Sequence, residues 1–292
     1  MEENKVTSRE ELKSYFEAGD YPTQGQFGKL IDSLRHKEDI LTNKEAAILA
    51  NTLVDIENGY IQYYTTNVEN QKFSLVVNQQ DEEDQLIEIG ETSGGSLRKY
   101  FFGNAPYTIK AKKFPAEGLK EYEYYLLQYQ IDPSYYVYKL FGNNLPTIEE
   151  GFELGTLKGK GFYFQLQRNN IGQKVSIVNT KINFENNTDA TVLYRAEAGN
   201  WSDRYKSEDS ITDHYDAWDY LSFRYNADLR GIDKSIECNA YNADNGELLT
   251  TGYLYAEQNN ENIWSGQISG VRNIRIECNY TSLPPQETGL PS

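Results

Sequence analysis

Carboxylates are the most crowded chemistry-bearing side chains of this sequence. Glu208, Asp209, Asp213, Asp216 and Asp219 fall within one short stretch. Two carboxylates on either side of a glycosidic bond can supply the acid and the base of glycoside hydrolysis. Their spacing here singles out no such pair, and a solvated acidic loop is the simpler interpretation. We therefore predict no catalytic residue in this stretch.

Sequence motifs of the common enzyme classes are also missing. The chain contains no Gly-x-Ser-x-Gly elbow, no phosphate-cradling loop, no His-Glu-x-x-His and no Cys-x-x-Cys. His36 and His214 have no His or Cys at ligand spacing, and the run Asp81–Asp84 lacks the glycine and the spaced ligands of a calcium loop. These patterns predict a protein that is not an enzyme and that needs no metal and no cofactor.

The two cysteines lie in identical tetrapeptides. Ile236–Asn239 and Ile276–Asn279 both read Ile-Glu-Cys-Asn. In a strand the Ile and the Cys of each tetrapeptide share one face, so Cys238 and Cys278 should both point into the core. Their thiols can meet only if the two strands are neighbours. In a reducing compartment we expect them to be free and buried.

Aromatic side chains offer the best-suited ligand surface. Trp218 and Tyr220 fall on the polar face of a predicted strand, beside Arg224, and Trp201 and Trp264 would join them from flanking loops. Flat aromatic rings with a polar neighbour suit sugar rings or protein surfaces. The alternative is that these rings fill a second core layer or a subunit interface.

The bulk charge restricts the partners. The formal net charge is -16, from 28 Lys plus Arg against 44 Asp plus Glu. Phosphate binding needs a basic patch, so we expect no nucleic-acid partner. No segment approaches the ~20 apolar residues of a membrane span, which predicts no membrane insertion. The first residues lack the basic start and apolar stretch of a signal peptide, so we expect synthesis in a bacterial-type cytoplasm.

The elements that must position these residues begin with three helix starts. Capping boxes stand at Ser8–Glu11, Thr23–Gln26 and Thr42–Glu45, and each opens an amphipathic run. The first run should end at Gly19, and the first two runs predict a short helical hairpin. The third carries the a/d pattern of a coiled coil for under two heptads, at Ala46, Leu49, Leu53 and Ile56. It fits either a trimeric fibre or a helix that packs on its own hairpin.

Beyond Gly59 the helical period gives way to alternation. Strands are predicted at 60–66, 72–77, 85–89 and 100–102, and later at 162–166, 175–184, 220–225 and 248–255. The fold class is therefore mainly β, with a short N-terminal helical segment before two antiparallel domains of sandwich or jelly-roll type. The polar turn formers at 186–189 mark a boundary between these domains. We predict a helical segment at 1–58, a middle β domain at 59–186, a C-terminal β-sandwich at 187–283 and a flexible tail at 284–292.

Two segments resemble a known class of proteins. Leu12–Thr23, with Gln26-Phe27 and Leu30–Ser33, resembles an N-terminal segment that recurs in fibres and other structural proteins of tailed bacteriophages. Ser210–Tyr225, with Val271–Ile276, looks like a β-sandwich module found near the ends of phage tail fibres. This chain departs from that module at Asp216–Asp219, which is extended by comparison and leaves the strand register open.

The resemblance implies a virion structural protein, a tail or head fibre or a fibre-associated chain, that forms a homotrimer. Its N-terminal helices would dock onto other virion proteins of the tail or capsid, and its C-terminal β domain would bind host-surface glycan. Two alternatives stay open: a polysaccharide-degrading depolymerase of a phage tail, and a stand-alone carbohydrate-binding module. The docking residues would be the apolar positions Leu12, Tyr15, Phe16, Phe27, Leu30, Ile31 and Leu34.

Overall fold

The computed structural model describes residues 8–17, 19, 21–34, 49, 59–80, 83–103, 105–130 and 135–282. The chain divides into two compact units, Met1–Ile56 and Glu57–Ser292. Several sequence predictions lie outside the described residues: the third helical run apart from Leu49, the first half of the 81–84 acidic run, His36 and the 284–292 tail. In the part that is described, no helix is long and apolar enough to cross a membrane.

Two short helices form in the first unit, α1 at Arg9–Ser14 and α2 at Gln24–Ser33. The Ser8 Oγ accepts the Glu11 N–H at 3.1 Å, and Thr23 and Gln26 form a reciprocal capping box. Both predicted helix starts are therefore confirmed. α1 ends before the predicted Gly19, because the backbone after Ser14 tightens into i to i−3 hydrogen bonds that close the last turn.

The described part of the second unit consists of strands, which confirms the mainly β fold. Their bounds are β1 Gly59–Thr66, β2 Phe73–Asn78, β3 Gln85–Ile89, β4 Leu97–Phe101, β5 Tyr107–Lys113, β6 Glu123–Gln130, β7 Val137–Phe141, β8 Glu153–Leu157, β9 Gly161–Asn170, β10 Ser176–Asn186, β11 Val192–Ala198, β12 Trp201–Ser202, β13 Ser210–Asp216, β14 Tyr220–Asp228, β15 Ser235–Asn242, β16 Leu248–Leu254, β17 Asn259–Ser269 and β18 Asn273–Thr281.

These strands form three sheets. A nine-stranded sheet has the order β17-β14-β11-β12-β7-β6-β9-β1-β4. A four-stranded sheet, β3-β2-β5-β8, shares a hydrophobic core with the half of the nine-stranded sheet that contains β1, β6 and β9. A five-stranded sheet, β13-β10-β18-β15-β16, shares a second core with the half of the nine-stranded sheet that contains β11 and β14. The unit therefore contains two sandwich-like layers of packing that have one sheet in common.

Most strand pairs are antiparallel, but β1 with β9 and β10 with β18 are parallel. β10 precedes the boundary predicted after residue 186, yet it pairs with β13 and β18 of the C-terminal region. The polar residues that suggested this boundary form a turn, in which the Asn186 Oδ1 accepts the Thr188 N–H at 3.1 Å. This turn connects the two sheets of one sandwich.

The identical tetrapeptides lie on neighbouring strands. Cys238 of β15 stands directly opposite Cys278 of β18 in the antiparallel register. Both side chains are fully buried and free, and their Sγ atoms are 3.0 Å apart. The prediction that both cysteines point into the core is confirmed. Burial raises the pKa of the Cys238 thiol well above its usual range, which leaves little of the thiolate that nucleophilic chemistry needs.

In the sandwich that contains the five-stranded sheet, β14, β16 and β17 meet closely at one glycine, and substituting this glycine tests their packing. A methyl group added at Gly252 of β16 would lie 2.8 Å from the Tyr225 ring of β14 and 2.9 Å from the Ser265 Cβ of β17. Overpacking of this kind costs about 1–3 kcal/mol, so we expect Gly252→Ala to lower the free energy of unfolding by that amount in urea. Gly95→Ala is the control, because nothing lies within 4 Å of its added methyl group. Equal stability of the two variants would contradict this packing.

Candidate ligand-binding site

The predicted aromatic platform is not one surface. Trp218 lies in the turn before β14 and is 79 % exposed, because Asp219 adopts a φ of 52° and bends the chain ahead of the strand. Together with Tyr220 it lines a shallow depression of about 410 Å³. Arg224 lies further along β14, where its Nε pairs with Glu197 at 2.6 Å.

The other two tryptophans lie at different places. Trp264 of β17 is the register partner of Arg224 and is 56 % exposed. Trp201 of β12 is only 6 % exposed and packs its ring 5.8 Å from that of His214. Trp201 is therefore buried apart from the exposed tryptophans, whereas Tyr220, Arg224 and Trp264 lie along β14 and its neighbour β17; the role of all five residues in binding stays a prediction.

A cleft of about 670 Å³ opens among β1, β6, β8 and β9. Its walls carry the side chains of Tyr60, Tyr129, Tyr135 and Tyr163. Among the residues that the structure describes, its charged lining residues are Lys158, Lys160 and Arg204, with no Asp or Glu. We call it the tyrosine cleft.

A second cleft, of about 430 Å³, adjoins the first. The two clefts share Tyr129, Val137 and Arg204 as lining residues and therefore adjoin, and we call the pair the trough. The carboxylates of the second cleft are those of Glu153, Asp203 and Asp213, and we call it the acidic cleft. Trp201, Phe152 and Lys139 complete its lining.

The side chains between the two clefts are held by hydrogen bonds. The Arg204 guanidinium donates to the Glu153 carbonyl at 2.6 Å and also to the Tyr129 hydroxyl. Burial raises the pKa of Tyr129, while the nearby guanidinium acts to lower it. In the acidic cleft, Lys139 lies over the Phe152 ring at 5.1 Å, and burial lowers the pKa of its ammonium group. The trough therefore combines fixed aromatic faces with oriented charged groups.

The carboxylates of the acidic stretch from Glu208 to Asp219 are largely occupied by structural contacts. Four of its carboxylates accept hydrogen bonds or pair with a cation. The partners are the Phe184 N–H for Asp209, the Asn179 amide for Asp213, the Trp218 N–H for Asp216 and the Arg272 guanidinium for Asp219. Among the residues that the structure describes, no group of three or more His, Cys, Asp or Glu is placed to hold a metal ion.

Sequence reasoning missed the trough because its lining comes from segments far apart in the chain. Tyr60, Tyr129 and Tyr163 lie on three different strands, and Arg204 follows a strand of two residues. The available signals were the excess of 24 Tyr over 12 Phe and the exposed sequence Lys158-Gly159-Lys160. No family model, no curated protein and no solved structure matches this chain.

Proposed function

We propose that this chain is a non-enzymatic structural protein of a tailed-phage virion, a tail or head fibre or a fibre-associated chain. Its N-terminal helices dock onto another virion protein, and its β unit binds host-surface glycan. The observation that carries the proposal is that α2 has an apolar stripe and yet buries none of its residues. A capped helix that keeps its apolar face in water is typical of an interaction element.

The helical hairpin is held together on one side only. The rings of Phe16 and Phe27 meet edge to face at 5.5 Å, and the Lys29 ammonium contacts the Glu11 carboxylate at 3.3 Å and the Tyr15 hydroxyl at 3.1 Å. These contacts connect α1 to α2, and Phe16 and Phe27 stay 44 % and 47 % exposed in the described part of this unit. The hairpin therefore keeps apolar surface on which a partner can bind.

The exposed apolar surface has the anatomy of a protein interface. Phe16, Phe27, Ile31 and Leu34 are exposed, and Ile31 is 66 % exposed. Leu12, Lys13, Phe16 and Leu30 line a groove of about 490 Å³ beside them. Lys13, which lines the groove, and the Lys29–Glu11 ion pair add charged groups to this apolar surface, as the polar rim of an interface does. A virion protein with an apolar ridge fits this surface.

The glycan-binding part of the proposal is supported by the trough. Aromatic faces pack against the C–H faces of sugar rings, and oriented polar groups bind their hydroxyls. The trough supplies both kinds of group over two adjoining clefts. The structural contacts of the acidic stretch support binding without cleavage.

A depolymerase is the second candidate, because Glu153, Asp203 and Asp213 all line the acidic cleft. Glycoside hydrolysis needs two of them on opposite sides of the bond. The discriminating assay is the release of reducing ends from surface polysaccharide by the wild-type chain and by Asp203→Asn with Asp213→Asn. Under the binding proposal neither protein releases sugar.

Docking through the helices predicts a loss of assembly when the stripe becomes charged. Ile31→Glu places a carboxylate at the centre of the exposed stripe, and a buried unpaired charge is costly at an interface. We expect its incorporation into particles, measured by immunoblot after complementing a strain that lacks the gene, to fall at least tenfold. Asp32→Asn, on the opposite side of α2, is the matched control and should assemble normally.

Two outcomes bear on this proposal directly. Normal incorporation of Ile31→Glu would contradict docking through the stripe. Light scattering of the wild-type chain should give three times the 33.6 kDa chain mass if it is a trimer. If Ile31→Glu loses this trimer, the stripe instead joins copies of this chain or covers the 46–56 run. Glycan binding should be unchanged in both variants.

A further inference from the structure

We propose that the tyrosine cleft binds the anionic group of an acidic sugar residue, so that the glycan recognised by this chain is an anionic polysaccharide. This inference rests on the glycan binding proposed above and names the class of glycan. The charge of this cleft differs from the charge of the whole chain. The whole chain carries a net charge of -16, whereas the charged residues that line this cleft are three cations.

The cations occupy two positions around the cleft. Lys158 and Lys160 are exposed on the turn between β8 and β9, on either side of Gly159. A methyl group added at Gly159 would meet nothing within 4 Å, so this turn stands open to solvent. The exposed Lys158 ammonium can attract an incoming anion, and the negative net charge of the whole chain disfavours its binding elsewhere.

Arg204 lies deeper and is fixed before any ligand arrives. Its guanidinium is anchored by the Glu153 carbonyl and the Tyr129 hydroxyl, and it lines both clefts. A guanidinium presents five N–H donors in a planar fork, which matches the oxygens of a carboxylate or a phosphate. Preorganisation lowers the entropy lost when the anion binds.

The tyrosine rings are fixed as well. The hydroxyls of Tyr60 and Tyr163 share a hydrogen bond, which raises the pKa of Tyr60, and the Arg98 guanidinium stacks over the Tyr60 ring at 4.6 Å. Tyr135 meets the Tyr205 ring edge to face at 5.0 Å. The Arg195 guanidinium lies over the Tyr135 ring at 5.1 Å, so Tyr163, which is 39 % exposed, offers the accessible aromatic surface to a sugar ring beside the cations that hold its anionic group.

The adjoining acidic cleft is less suited to an anion. Glu153, Asp203 and Asp213 line it together with the cations Lys139 and Arg204, and its carboxylates can accept hydrogen bonds from sugar hydroxyls. The anionic group that this proposal assigns to the glycan is therefore held in the tyrosine cleft.

The experiment titrates the full chain with oligogalacturonate, with maltohexaose as the neutral oligosaccharide and with a hexose phosphate, by calorimetry at low salt. We expect oligogalacturonate to bind at least tenfold tighter than maltohexaose. In Lys158→Gln with Lys160→Gln its affinity should fall about tenfold, and by more than the affinity for maltohexaose falls. Lys181→Gln, which removes an exposed lysine on β10 outside the trough, is the control for net charge.

Each outcome decides one claim. Equal affinity for acidic and neutral oligosaccharides, or an unchanged acidic affinity in the double variant, overturns the anionic cleft and leaves the proposed glycan binding standing. Binding of no sugar at all overturns both. Stronger binding of the hexose phosphate than of oligogalacturonate supports the anionic cleft and assigns it to phosphate. Arg204→Lys keeps the charge but loses the fork, and its acidic affinity should also fall.

Discussion

Arg195→Met is expected to lower the free energy of unfolding by about 3 kcal/mol, measured by urea denaturation, because it removes one partner of a buried ion pair. The Arg195 side chain is 3 % exposed, and its Nη1 lies 3.1 Å from the Glu197 carboxylate. The expected loss is at the lower end of the range for such changes, since Glu197 keeps a second cation, Arg224, at 2.6 Å.

Arg195 also makes hydrogen bonds beyond this ion pair. Its Nε donates to the Asp203 carbonyl at 2.9 Å, and its Nη2 donates to the Tyr136 carbonyl. These carbonyls flank the junction of β7 and β12, where one register pair joins the two halves of the nine-stranded sheet. Arg195→Met should therefore also speed amide exchange at the β7–β12 junction.

Arg224→Met is the matched control for Arg195. Its side chain is 34 % exposed and pairs with the same Glu197 carboxylate. Because water can solvate the groups that remain, the loss of stability should stay within about 1 kcal/mol. A loss for Arg195→Met no larger than that of the control would contradict the role of Arg195 as a junction clamp.

Alkaline pH is expected to destabilise the β unit strongly between about pH 10 and pH 12. Burial raises the pKa of Tyr194 and of Tyr205 to about 12, and it also raises the pKa of Tyr215 and Tyr225. The unfolded chain releases these protons near pH 10, whereas the folded chain holds them. The stabilisation is therefore complete below pH 10 and is lost as the pH rises through 12.

Tyr194 is 1 % exposed, and its shift corresponds to about 3 kcal/mol of lost stability across that range. The measurement is urea unfolding at about pH 8 and about pH 11.5. Tyr194→Phe loses the hydrogen bonds to the Glu208 carbonyl and Ser210 and starts about 1 kcal/mol less stable, yet its stability should fall less with pH. An identical fall in both proteins would contradict the burial of this hydroxyl.

The elements were predictable where local chemistry decides them. The capping residues Ser8 and Thr23 began both described helices, and the alternation of Leu221, Phe223 and Tyr225 placed those side chains in the core of β14. The sequence Asp244-Asn245-Gly246 favours a tight hairpin turn, and this turn forms between β15 and β16, with Gly246 at a φ of 76°. These features depend on residues that are close in sequence.

The sheet order was not predictable, because strand pairing over long distances leaves no local pattern. β10 pairs in parallel with β18 at the other end of the unit, and β12 is too short for a periodicity to reveal it. The candidate site could not be predicted from the sequence for the same reason. Trp218 can be identified in the sequence as a single aromatic residue, whereas the trough is formed by tyrosines from separate strands around Arg204.

Glycan binding without cleavage is the central claim, and one measurement tests it most directly. The full chain is mixed with an acidic host-surface polysaccharide and passed through size exclusion with light scattering. The account predicts that the protein elutes with the polysaccharide and that the mass of the polysaccharide is undiminished. Elution of the protein on its own, or a fall in the mass of the polysaccharide, would contradict it.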